Sequence, residues 1–202
     1  MHFNKSYVII GALCAVILGL GNSGLHPLSS NAGYTGSPVD SNCAQCHTGN
    51  NSNLNGEITI DGLPSTIITG ETYTISVTIT NPNGNAQRAG FQLVALNGNN
   101  ANAGTMNMAS PSTQIRMVSG RNYFGHAPAS IFPSSNELNF TVDWTAPSTP
   151  GSNPVIKFYA ATVIANGADG NSNDRVRLTN MIIPITSGST PIDASITNVS
   201  PT

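Results

Sequence analysis

From residue 57 onward the chain is written in a two-residue period, and that constrains its fold more than any other feature. Residues 73–80 read Tyr-Thr-Ile-Ser-Val-Thr-Ile-Thr, which puts Tyr73, Ile75, Val77 and Ile79 on one face and hydroxyl-bearing residues on the other. Residues 138–144 repeat the device with Leu138, Phe140, Val142 and Trp144 on the apolar side, so the single tryptophan is a core residue. An α-helix returns a side chain to the same face every 3.6 residues, so this spacing excludes it. Five further runs, 57–60, 90–96, 114–118, 155–164 and 176–185, read as strands separated by Gly, Asn and Pro turns. The run 155–164 is almost continuously apolar and is expected in the interior of a sheet. Residues 97–111 read as a loop. Seven strands and no helix predict an all-β, immunoglobulin-like antiparallel β-sandwich.

Residues 26–55 break that pattern. They are rich in Gly, Ser, Asn and Pro, carry no sustained period, and form a loop-rich segment ahead of the sandwich, which spans residues 56–186. Inside this segment lies Cys43-Ala44-Gln45-Cys46-His47. Cys-x-x-Cys-His is the spacing at which two thiols take the two vinyl groups of a haem and the following imidazole takes its iron.

The first 24 residues read as an export signal: Lys5 precedes an apolar run, 7–20, that ends in small residues. That run is shorter than the ~20 apolar residues of a membrane-spanning helix. Cys14 falls within it, so Cys43 and Cys46 are the only thiols of the mature chain. Residues 187–202 read as a linker-like tail. Charged residues make up only 8% of the chain and the net charge is -2 with 7 Lys+Arg, which offers phosphate backbones no basic stripe and argues against nucleic acid as a partner.

The pentad has three readings. One covalent haem c uses Cys43, Cys46 and His47. A disulfide between Cys43 and Cys46 merely tightens the loop. A zinc site adds His126 or an acid as fourth ligand. With haem bound, the sixth iron position is decisive. His126, in Gly125-His126-Ala127-Pro128, is the expected ligand from a turn-like loop, with Met106 and Met108 of the loop 102–109 as alternatives. Met117 alternates with Ile115 and reads as core. Tyr34, Tyr123, Phe124 and Phe132 are candidates for a pocket wall, and Arg121 for polarising a bound peroxide. The Asx-rich stretch 166–174 offers oxygen atoms to calcium, but without the acidic residue that completes an EF-hand loop it reads as a hairpin loop.

The residues preceding Cys43 (Ala32-Gly33-Tyr34-Thr35-Gly36-Ser37-Pro38), together with Gly90-Phe91-Gln92-Leu93, residues 120–126, residues 140–147 and Phe158-Tyr159-Ala160-Ala161 with Asn166-Gly167, resemble the choice-of-anchor V family. These are exported bacterial proteins related to the Reeler domain, in which a Gly-rich leader with Cys-x-x-Cys-His precedes a sandwich. The resemblance runs from about residue 32 to residue 185 and implies a surface setting. The expected function is that of an exported, single-haem c-type protein, an electron carrier rather than a catalyst, in the periplasm, at the cell surface or outside the cell. Its redox partner is unknown, and its low charge suits self-association or cell-surface attachment. The alternative is a structural or adhesive surface module with the local disulfide.

Overall fold

In the computed structural model, residues 32–108, 110–167 and 170–188 are described; the expected export signal and most of the tail lie outside them. Strands β1 (Ile58–Asp61), β2 (Ile67–Ile68), β3 (Thr72–Thr80), β4 (Arg88–Asn97), β5 (Thr105–Met108), β6 (Thr113–Val118), β7 (Arg121–His126), β8 (Ser130–Ile131), β9 (Glu137–Thr145), β10 (Val155–Ala165) and β11 (Arg175–Thr186) form two sheets. The smaller has the order β1-β3-β9-β5, and the larger has β2-β11-β10-β4-β7-β6 with β8 beside β4. Every pairing is antiparallel except the two-residue contact of β2 with β11.

The sheets bury their facing sides against each other. Ile75, Val77 and Ile79 of β3 and Phe140, Val142 and Trp144 of β9 meet Phe91, Leu93, Phe124, Phe158 and Ile164 of the larger sheet in one core. Rings cross the gap between the layers: Phe91 lies 4.7 Å from Phe140, and Trp144 meets Phe158 edge-on at 5.0 Å. Trp144 donates its indole N–H to Ala103 O at 2.9 Å, so its polar atom is satisfied in the dry interior. The interior placement expected for residues 155–164 holds, since β10 lies between β11 and β4.

The outer side of the smaller sheet is a hydroxyl and amide surface whose groups satisfy one another. Thr72 bonds Thr145 and Thr74 donates to Asp143, both at 2.8 Å, while the Asn139 amide reaches Ser76 at 2.6 Å and Thr78 at 2.9 Å.

Among the described residues eleven strands replace the seven expected, and three differences bear on candidate residues. Residues 105–108 are not loop but β5, at the edge of the smaller sheet, where Met106 opposes Trp144 and is buried in the core. Met117 is 72% exposed rather than core. It sits on β6, the edge strand of the larger sheet. His126 ends strand β7 instead of lying in a loop.

Candidate functional site: the docked cysteine pentad

The loop-rich segment lies across the outer side of the larger sheet. Ala32 packs on Val94, Leu96 and Tyr123, three buried residues that point away from the main core. Gln92 of β4 accepts from the backbone N–H groups of Gly33 and Tyr34 at 3.1 and 3.2 Å. Asp40 then ties the segment to itself and to the sheet: it accepts from Thr35 Oγ1 at 2.6 Å and from the Tyr123 hydroxyl at 2.8 Å. Burial, reinforced by this carboxylate, pushes the Tyr123 phenol up to about 12.

Thr35 bridges Asn42, and Gly36 N donates to Ser41 O at 2.8 Å, closing a tight loop that delivers the chain into the pentad. There the backbone makes one 3-10 turn, Cys43–Gln45. Asn42 caps it by accepting from Ala44 N at 2.9 Å, and His47 N closes it onto Cys43 O, also at 2.9 Å. Side chains three apart eclipse in such a turn, so positions 43 and 46 share a side. Both cysteines are free thiols, Cys46 exposed and Cys43 half-buried with its Sγ donating to Tyr34 O at 3.5 Å. Burial raises the Cys43 thiol to about 12.

The Asx-rich stretch after β10 holds the far side of the pentad. Thr48 N donates to Asn171 O at 2.8 Å, Asp174 N to Thr48 O at 3.1 Å, and Asn51 N to Asp174 O at 3.2 Å. Gly49, at φ +103, presses so closely that a Cβ there would come within 2.7 Å of the Asn173 backbone. His47 Nδ1 lies 2.8 Å from Asp174 Oδ2, with the imidazole side chain 32% exposed and the carboxylate 2%. The other oxygen, Oδ1, accepts from Asn166 N at 3.3 Å. Asp174 is thus engaged by the pentad and its own loop, in keeping with a hairpin loop rather than a calcium cage.

A shallow cleft of about 310 Å³ opens here, lined among others by Asn42, Ala44, His47, Asp174, Val176 and Leu178. Leu178 is 51% exposed, so with Val176 it gives the cleft an apolar side next to the imidazole.

The other candidates stand apart from the pentad. The His126 ring lies where Gly90 has no side chain: a Cβ on Gly90 would fall 2.6 Å from its Cε1, and His126 Nδ1 meets Phe91 N at 2.8 Å and Phe91 O at 3.0 Å. Met106 is enclosed between the sheets, and Phe124 and Phe132 belong to the same core rather than to a pocket wall. Of the expected wall residues, Tyr123 lies directly beneath the segment, and Tyr34 is part of the segment itself. Arg121 begins the strand that His126 ends, about 17 Å away along extended backbone, too far to share a peroxide with it. Among the described residues no group of three or more His, Cys, Asp or Glu is spaced to hold a metal ion, so the ligand set of the zinc reading is not assembled. The pairing of Asp174 with His47 and the docking roles of Gln92 and Asp40 leave no local mark in the sequence beyond an acid at the end of an Asx-rich stretch.

Fold and site together define an immunoglobulin-like β-sandwich that carries a cysteine-histidine pentad on a docked N-terminal segment. No family model matches the chain, and no curated protein matches it. Solved structures similar to it include the human F-spondin reeler domain, at 15% identity and TM-score 0.44 over 65% of this chain and 88% of that one. A cohesin module from a Clostridium perfringens family 33 glycoside hydrolase is similar at 11% identity and TM-score 0.46, covering 66% and 98%. The Escherichia coli fimbrial subunit AggA is similar at 11% identity and TM-score 0.40, covering 66% and 96%. These likenesses concern the fold alone.

Proposed function

We propose that this chain is an exported β-sandwich module carrying one covalent haem c on its docked segment and passing single electrons in the periplasm, at the cell surface or outside the cell. The carrying observation is the setting of His47. Its Nδ1 is held by a buried carboxylate, which leaves Nε2 for iron, and the ring shares its cleft with the apolar side chains of Val176 and Leu178. The donor set therefore fits the group. Cys43 and Cys46 would each add S–H across one vinyl group, the sulfur bonding to carbon and the hydrogen moving to the neighbouring carbon, with no oxidant consumed. The bound haem would supply the one-electron chemistry. His126, expected from residue type as the sixth ligand, is engaged at Phe91 on β7 and is not among the residues lining the cleft beside His47.

The test is the intact mass and visible spectrum of the protein made in a host competent for haem maturation. A haem-sized adduct that survives denaturation is expected; its absence overturns the proposal.

A second reading, a structural or adhesive surface module that self-associates or attaches to the cell surface, is favoured by the self-satisfied Thr, Ser and Asn face of the smaller sheet. It requires no cofactor. Its mass signature is the loss of two hydrogens as Cys43 and Cys46 join.

A further inference from the structure

We infer that Asp174 is the positioning residue of the pentad histidine: its buried carboxylate grips His47 through Nδ1–H and thereby fixes Nε2 as the nitrogen offered to iron. This rests on the haem reading and makes it more specific. A carboxylate oxygen accepts, so in the 2.8 Å contact between Oδ2 and Nδ1 the imidazole is the donor, and the neutral ring carries its proton on Nδ1.

The acid is held for that task. It is 2% exposed, its Oδ1 receives Asn166 N, and its backbone is bonded on both sides to the loop that follows His47, through Thr48 O and Asn51 N. Neither the carboxylate nor the imidazole can turn away without breaking that clamp. Histidines that bind metals characteristically donate their second N–H to a carboxylate or carbonyl, which sets the tautomer and makes the ligand more basic. A more basic imidazole favours ferric over ferrous iron, so Asp174 would set the potential of the haem as well as its orientation. An ion pair that merely fastened the loop would have neither effect.

Two measurements test this. In haem-free wild-type protein, ¹⁵N NMR of the His47 ring is expected to show the Nδ1–H tautomer under conditions where the ring is neutral, reverting toward Nε2–H in Asp174→Ala. In haem-loaded protein, Asp174→Asn keeps the shape but not the charge. It is expected to shift the ferric–ferrous equilibrium toward ferrous by roughly tenfold, about 59 mV for one electron, with Asp174→Glu closer to wild type. An Nε2–H tautomer in wild type overturns the inference, as does an unchanged potential in Asp174→Asn. Should the variants fail to fold, the wild-type tautomer alone decides. Absence of a haem adduct in wild type refutes the haem reading but leaves the tautomer to judge Asp174.

Discussion

Replacing Tyr123 with Phe removes one oxygen atom from the place where the N-terminal segment is tied to the sheet. The lost bond is the 2.8 Å donation to Asp40 Oδ1 from a side chain that is itself only 1% exposed. Hydrogen bonds to charged groups contribute about 1.5–3 kcal/mol. Asp40 is half-exposed and keeps its bond from Thr35, so water can reach the vacated oxygen, and the lower end of that range applies: about 1.5 kcal/mol, a little over tenfold in the folding constant. Urea titration should show the midpoint falling with an unchanged slope. Hydrogen exchange should quicken most at Gly33, Tyr34 and Gly36, whose amides bond Gln92 and Ser41. Alkali supplies a second readout. The folded-state value of about 12 lies above the ordinary 10.0, so the folded protein holds the phenolic proton more tightly. That contribution is intact below pH 10 and disappears as the pH rises from 10 to 12. Wild type should lose this increment and Tyr123→Phe should not. A stability change below about 0.5 kcal/mol with unaltered exchange would refute the docking role, and identical alkaline profiles would refute the titration argument.

Leu54, 1% exposed and part of the main core, joins the loop-rich segment to the sandwich. Leu54→Ala should cost about 2–5 kcal/mol in chemical denaturation, whereas Val39→Ala, at a position 38% exposed, should stay within about 0.5 kcal/mol. Gly90→Ala drives a methyl into the His126 ring and should cost about 1–3 kcal/mol; much of this should return in the double variant with His126→Ala, measured as a mutant cycle. Gly49→Ala meets backbone at Asn173 from a positive φ, so it should release the pentad from its loop, detected as faster exchange at Thr48 and Asp174 while β3 and β9 amides are unchanged.

The sandwich was legible wherever one strand face is wet and the other dry. Strands β3 and β9 satisfy that condition along their length, and their inward residues are those the alternation marks. Strand β7 does not, because Tyr123 is buried beneath the N-terminal segment while its neighbour Phe124 is buried between the sheets, which erases the period. β5 is four residues between Gly104 and a run of small residues, too short for a pattern to accumulate. Met117 shares its alternation with Ile115 yet is 72% exposed, because alternation reports which side a residue faces and not how deeply an edge strand is covered. At the site, the local chemistry of Cys43, Cys46 and His47 was readable, but the partner of His47 was not: 127 positions separate it from Asp174, and only the closure of β10 on β11 brings the two together.

That separation also sets a timetable. The pentad is made early, yet the residues that hold it, Asn171 to Asp174, belong to the final hairpin of the sandwich. A contact spanning 127 positions cannot form before Asp174 itself has been made. Until then the two thiols stand on an unclamped strand of backbone, open to whatever chemistry acts on them. In the folded chain Cys43 is half-buried against Tyr34 O, and its thiol is raised to about 12. The order of synthesis therefore exposes the cysteines before the carboxylate that holds the histidine exists.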